Sequence, residues 1–339
     1  YADGNPLYDS EGNAITETVH EVIEEPVEMS EEAMEDFLVM HVYEEDEDSN
    51  EPTSSFYDQR RREGLDVVEF NMDTFRSLVD DTHPSYTEDS DSEDDRKWKK
   101  NYVPEMDFNG VVYVEFPTDT SATPGKDNVV KSVDGMGLLV TDADKIPNPS
   151  YIYDQSEDYV KKGRSGQWGL SLATNNAMYV KGHFNADGNK TGDGPYAPDD
   201  PDAPNPPAAV IADAVTILSD NFDFTKTKQS SNSRRATYTE FNAGLMSGLV
   251  PTLKGGDSGY KSGGSHNFPR FLEKWSGVTL TYRGSLVALF ESEVADEPWH
   301  TGYYSPPRRQ WGYYNVFRQH QPPGGPKAPK YVKTDFKFL

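Results

Sequence analysis

The sequence predicts a mainly β fold: a parallel β-helix (β-solenoid) with long polar insertions and a few short helices. Another all-β arrangement, such as a sandwich, is the alternative. Three observations lead there. From residue 107 onward, short apolar runs meet at corners rich in Gly, Asn, Asp and Pro, while long amphipathic helical patterns are nearly absent. Residues 169–180 read as strand, corner, strand: Leu170, Leu172, Met178 and Val180 fall at period two on one face, on either side of Thr174-Asn175-Asn176. Asn tolerates left-handed backbone angles and stacks in amide ladders, which suits such corners. Finally, long polar insertions occupy 145–166 and 186–207. A solenoid tolerates insertions because each rung touches only its neighbours. No repeat of fixed length accompanies these signs.

The first 52 residues are acidic. Ser30 precedes Glu31 and Glu32, whose charges suit a helix N-terminus, and Ala33, Met34, Phe37, Leu38 and Met40 form an apolar stripe. A short helix is expected over 31–39, followed by a loop over 44–50. Residues 54–61 read as a turn and 66–71 as a strand. A second short helix starts near Asp73 as its N-cap, with Phe75, Leu78 and Val79 on one face. The acidic, Ser-rich stretch 82–95 then meets the basic run 96–100.

Strands are expected at 111–116, 129–133, 137–141, 169–173, 177–181, 210–218 and 241–250, and at 279–290 with a break at Arg283-Gly284. The best helical candidate in this part is 269–274. The chain thus divides into three parts. Residues 1–100 are an acidic segment with short helices and one strand, and 101–326 are a β-solenoid body. Residues 327–339 are a basic, aromatic tail in which Lys327, Lys330, Lys333 and Lys337 surround Tyr331 and Phe336. Such a tail suits strand addition to an edge or contact with a neighbouring subunit.

Charge follows the same division. Residues 1–50 hold seventeen Asp and Glu and no Lys or Arg, and 51–100 hold fourteen acids against eight bases. The remaining residues carry only −3 of the net −26, so an acidic arm is joined to a nearly neutral body. That arm repels phosphates and anionic lipid, which argues against nucleic-acid and membrane-surface partners. The absence of cysteine excludes a disulfide framework and a thiolate metal site. No apolar run has the length of a transmembrane segment, and no signal-peptide pattern opens the chain. The chain is expected to be a processed product or part of something longer.

Several groupings invite chemical readings. Asn185, Asp187, Asn189, Thr191 and Asp193 place oxygen-bearing side chains at every second position, interleaved with Gly188, Gly192 and Gly194. That is the type of loop a calcium ion favours. It resembles the start of an EF-hand loop but lacks the closing Glu, position twelve being Tyr196. An ordinary polar loop is the competing reading. Asn189-Lys190-Thr191 also matches a glycosylation sequon.

Gly256-Asp257-Ser258-Gly259 matches the nucleophile segment of trypsin-like proteases. The partner His and Asp phrases are absent, so a Gly-rich loop is expected and no catalytic residue is assigned. Asp213, Asp220 and Asp223 near strand ends are the carboxylates that a polysaccharide-cleaving alternative would draw on. Trp168, Trp275, Trp299 and Trp311, with Tyr303, Tyr304, Tyr313 and Tyr314, serve core or interface packing, or stack on sugars. Arg270, Arg283, Arg308 and Arg309 are expected to tie the C-terminal block to carbonyls or carboxylates, Glu273 and Glu291 among them.

The stretch 262–275, Ser-Gly-Gly-Ser-His-Asn-Phe-Pro-Arg-Phe-Leu-Glu-Lys-Trp, is followed by Thr279-Leu280-Thr281-Tyr282-Arg283-Gly284-Ser285-Leu286-Val287 and by Tyr304-Ser305-Pro306-Pro307-Arg308-Arg309-Gln310-Trp311. Together these resemble the C-terminal extracellular region of bacterial PilX-like proteins linked to type IV pilus assembly. The resemblance spans roughly 54–326 and is strongest at 169–185, 208–221 and 262–311. It departs in the acidic N-terminal segment and the long inserts. PilX-like proteins generally begin with a hydrophobic helix, and neither that helix nor its anchor is expected here. The resemblance implies an exported, non-enzymatic structural or adhesive component of a pilus or cell-surface filament. Its partners would be other protein subunits, itself included. A carbohydrate-binding or carbohydrate-cleaving β-helix protein is the alternative.

Overall fold

The computed structural model describes residues 35, 37–43, 55–80, 110–117, 135–148, 152–154, 157–160, 169–186, 206–249, 268–295, 302–318 and 320–324. Among them the fold is mainly β, with helix in short pieces and several parallel sheets. The first sheet runs β1 (Leu38–His41), β3 (Glu63–Asn71), β5 (Met136–Thr141), β9 (Ala177–Lys181), β11 (Ala214–Leu218), with β2 (Phe56–Asp58) also paired to β3. The pairs β3–β5, β5–β9 and β9–β11 are parallel, and β1 and β2 meet β3 antiparallel. The second sheet is parallel throughout: β15 (Leu286–Phe290), β13 (Gly244–Gly248), β10 (Ala208–Ala212), β8 (Leu170–Thr174), β4 (Val111–Val114). The third joins β12 (Thr239–Asn242), β14 (Thr279–Arg283) and β16 (Arg308–Gly312), also parallel. A separate hairpin pairs β6 (Ile152–Asp154) with β7 (Glu157–Val160).

Up to β9 the chain alternates between the first and second sheets, and from there on it takes in the third as well. From β9 in the first it passes Phe184, which bridges Phe241 of the third, and enters the second as β10. It then returns to the first as β11, goes to the third as β12, and to the second as β13. Each return places a strand parallel to the preceding one. One residue suffices to turn from the second sheet to the first: Asp213 separates β10 from β11. Likewise Ala243 alone separates β12 from β13. The runs expected as single strands at 210–218 and 241–250 are therefore two strands each, in different sheets. Apolar character resumes directly after each one-residue corner because both flanking strands send side chains inward, so the hydrophobic run reads as continuous.

The expected face at 169–180 is present. Leu170, Leu172, Met178 and Val180 are all fully buried in the main core. The columns that cross the sheets follow the register, as in Leu138–Met178–Val215 and Leu172–Val210–Leu245. On the third sheet the column is aromatic. Phe184 stacks on Phe241 at 4.9 Å, Phe241 on Tyr282 at 5.9 Å, and Trp311 meets Tyr282 edge-on at 5.7 Å. Offset and edge contacts of this kind add to plain burial.

Two helix expectations need correction. Leu38 and Val39, assigned to a helix over 31–39, lie in β1, which pairs with β3 while Phe37 packs against Phe70 and Phe75. Glu35 is helical as expected, and residues 31–34 and 36 lie outside the described set. Residues 269–274 are extended: Arg270 bridges Thr216, and Lys274 bridges both Arg235 and Ser305. Backbone bonds to neighbouring passes, such as Arg270 N–H to Val215 O at 2.9 Å and Lys274 N–H to Arg234 O, outweigh local helix propensity there. The second helix is α1, Met72–Val79; its N-cap is Asn71, whose side chain accepts from Thr74 N, and Asp73 lies in the first turn. The strand expected at 129–133 lies outside the described residues.

Candidate functional site

The face of the first sheet opposite the main core carries the densest polar chemistry among the described residues. Its central column follows the register Glu69–Leu139–Tyr179–Thr216–Arg270. Leu65, Val67, Leu139, Ala177, Tyr179, Ala214 and Leu218 form a second apolar cluster with Phe56 and Phe222. Small residues make room for it: a Cβ on Gly137 would stand 2.9 Å from the Tyr179 ring. Phe56 meets that ring edge-on at 4.8 Å.

The β2–β3 hairpin folds over this face. Register Asp58↔Glu63 leaves residues 59–62 as the turn, closed by Arg62 N–H to Asp58 O at 2.7 Å, with Arg62 at φ 60°. Asp58 Oδ1 accepts from Arg60 N at 2.7 Å and Arg61 N at 3.3 Å, the local pattern that makes Asp a turn-former. Its Oδ2 accepts from Tyr179 Oη at 2.6 Å. Both Asp58 oxygens are thus committed, and burial together with the Asp58 charge pushes the Tyr179 phenol well above its ordinary range.

Four arginines converge here. Arg61 lies 2.6 Å from Glu63 and donates to Met136 O at 2.9 Å. Arg234 donates to the carbonyls of Thr227 and Tyr303 and to Gln59 Oε1. Arg270 donates through Nη1 to Ala295 O at 2.6 Å. Arg60 lies with its guanidinium carbon 5.9 Å from the Tyr304 ring. Burial, followed by the like charge of Arg270, lowers Arg60 to about 9. Beside them Glu273, fully buried, accepts from Ser219 N at 2.6 Å and from Ser219 Oγ at 2.7 Å. Burial raises its carboxyl to about 7 against the opposing pull of those hydrogen bonds.

Of the sequence-selected residues, Arg270 and Glu273 fall in this cluster, but not as partners of each other. Arg283 donates to the carbonyls of Tyr282 and Gln310, as expected, and Arg309 covers Trp311 at 4.8 Å. Asp213 is a corner residue: its carboxylate accepts from Ser292 Oγ at 2.5 Å, Glu293 N at 2.8 Å and Val294 N at 3.1 Å. Asp220 pairs with Lys181 at 3.7 Å and Asp223 caps the turn at Thr225. The three carboxylates are not brought together. Trp275 and Tyr314 are buried in the core, while Tyr313 is exposed.

Asn185 sits at the corner beyond Phe184 with φ 51°, fully buried. It donates to Pro206 O at 2.9 Å and Asn242 O at 3.0 Å, and Asn242 returns a bond to Asn185 O at 3.0 Å. The two asparagines thus tie neighbouring passes together by side-chain to backbone bonds, one corner away from Asn175, rather than by an amide-to-amide ladder. Asp187, Asn189, Thr191 and Asp193 lie outside the described residues, as does Ser258. Among the described residues no group of His, Asp and Glu could hold a metal ion, and no helix is long and apolar enough to cross a membrane.

Sequence reasoning passed over Asp58, Tyr179 and Arg60. The available signal was Arg60-Arg61-Arg62 directly after an Asp that opens a turn. Its weakness is that Arg clusters usually face water. Comparison with protein-family models, with curated proteins and with solved structures yields no match.

Proposed function

We propose that the chain is a non-enzymatic structural or adhesive component of an extracellular pilus or cell-surface filament, with a β-solenoid body that associates with other protein subunits. The observation that carries this reading is the pair of apolar edge strands of the second sheet, each paired to a strand on one side only among the described residues. β15, on the last pass, exposes Leu289 at 54% and Phe290 at 47%, while β4, at the opposite edge, exposes Tyr113 at 57%. Unpaired strand edges with large apolar side chains are the surfaces that proteins normally cover. The recurring order first, third, second sheet is what winding into rungs requires. Large buried aromatics and satisfied corner carboxylates fit a scaffold better than a hydrolytic groove.

The test is sedimentation velocity with electron microscopy on the full chain and on the L289K/F290K double variant. The expected outcome is concentration-dependent end-to-end assembly that the double variant loses. A chain that stays monomeric at millimolar concentration and binds a polysaccharide would instead support the carbohydrate-active alternative.

A further inference from the structure

Independently of that reading, the arginine cluster has buried donors left without hydrogen-bond partners. Arg60 is 2% exposed and Arg270 8% exposed. Arg60 Nε and Nη1 and Arg270 Nη2 are buried and have no hydrogen-bond partner among the described residues. A guanidinium stays charged in proteins, and its donors form a rigid fork. A buried charge left without a counter-charge is strongly unfavourable.

The nearest carboxylates, Asp58 for both arginines and Asp213 for Arg270, favour the charges from a distance but make no hydrogen bond to the buried donors. Asp58 accepts instead from two backbone N–H groups and Tyr179, and Asp213 from Ser292, Glu293 and Val294. Glu63 is taken by Arg61, and Glu273 by Ser219. Tyr304 offers Arg60 a ring face, which offsets only part of the cost. Meanwhile Arg60 and Arg270 repel each other.

We propose that Arg60 and Arg270 together bind a small oxyanion, of the phosphate, sulfate or carboxylate class, between the β2–β3 turn and the extended segment around Arg270. Two forks that share one anion exchange mutual repulsion for two sets of charge-assisted hydrogen bonds. The anion would fasten the hairpin, which precedes the parallel passes, to the pass that contains Arg270. It joins residues 210 positions apart in the chain, so its effect is on the whole fold rather than on one loop.

The experiment is thermal unfolding of the full chain, freed of anions by dialysis into a chloride-poor zwitterionic buffer. Inorganic phosphate, sulfate and acetate are titrated at ionic strength matched with sodium chloride. One oxyanion is expected to raise the midpoint saturably, by roughly 5 °C at a hundredfold excess over its dissociation constant. R60Q and R270Q are expected to abolish the rise, and R61Q, which alters the arginine ion-paired to Glu63, to keep it. Equilibrium dialysis with labelled phosphate or sulfate, giving one ion per chain, reads binding directly if a variant does not fold. A rise no greater than chloride gives, a rise that survives R60Q and R270Q, or no bound ion in dialysis overturns the proposal.

Discussion

On one face of the first sheet, Leu138, Val140, Met178, Val180, Val215 and Ile217 stack in columns within the main apolar core. On the other face of the same strands, Tyr179, Thr216 and Arg270 stack beneath a turn that brings Asp58, Arg60 and Arg61. The first face assembles from neighbouring passes that repeat one side-chain choice. The second requires segments far apart in sequence to arrive together: residue 58 meets 179, and 59 meets 227. Burial on the first face needs only area, which is non-directional. Burial on the second needs each donor and acceptor matched, and it is penalised where one is not. The core face therefore supplies stability, and the opposite face fixes which loops close over it.

The largest test of that division removes an aromatic from the inner stack. Phe241 is fully buried between Phe184 and Tyr282. Phe241→Ala should cost about 3–5 kcal/mol in denaturant unfolding, through lost transfer energy plus the cavity left behind. A loss under about 1 kcal/mol would mean that the stack does not carry the core.

Next comes pH. Burial holds Glu273 near 7 in the fold, against an ordinary value of 4.5. A carboxyl with a raised folded pKa binds its proton more tightly in the native state than in the unfolded one. Its contribution is therefore fully present below pH about 4.5 and is lost as pH rises towards 7. The loss is on the order of 3 kcal/mol. Glu273→Gln should flatten that part of the stability–pH curve, with the wild type and variant compared by urea unfolding from pH 4 to 8. An unchanged slope would place the titrating group elsewhere.

Tyr179→Phe separates the two faces most cleanly, because it keeps the ring against Phe56 and deletes only the hydroxyl that serves Asp58. It should cost about 1–3 kcal/mol, the penalty of leaving a buried acceptor short of a donor. A neutral result would show that the hairpin is held by apolar packing alone.

The sequence carried the inner face because alternation is local: Leu170, Leu172, Met178 and Val180 declare it within eleven residues. The corner at Arg283-Gly284 was legible too, since the polar pair interrupts the apolar run. The turns at Asp213 and Ala243 were hidden, because each corner is a single residue and the apolar pattern resumes immediately after it. Residues 269–274 misled because their apolar spacing fits a helix, whereas their hydrogen bonds lie with other passes. The outer face was unreadable for a different reason. Arg60 and Arg270 look like surface residues until the sheet brings them under the same cover, and no local pattern reports that. Half-visible was Asn185, marked only as an oxygen donor of a polar, calcium-type loop, whose amide serves Pro206 and Asn242.

The smallest expected effect tests where the inner face ends. Helix α1 follows β3 without an intervening residue and buries Phe75 and Val79 in the main core. Its first turn is held by Asn71, whose Oδ1 accepts from Thr74 N at 2.9 Å while its amide donates to Asp142 Oδ2 at 2.8 Å. Removing the cap frees one N–H of the first turn and one contact to the next pass, but both sit where water can replace them. Asn71→Ala should therefore cost about 1 kcal/mol, and Asn71→Asp should recover the cap. The Asp variant meets Asp142, however, and the two like charges should leave it below the wild type. Raising the salt concentration should narrow that gap, since exposed charges are screened. If Asn71→Ala instead matched Phe241→Ala in cost, the helix would be part of the core's foundation rather than a cover at its end.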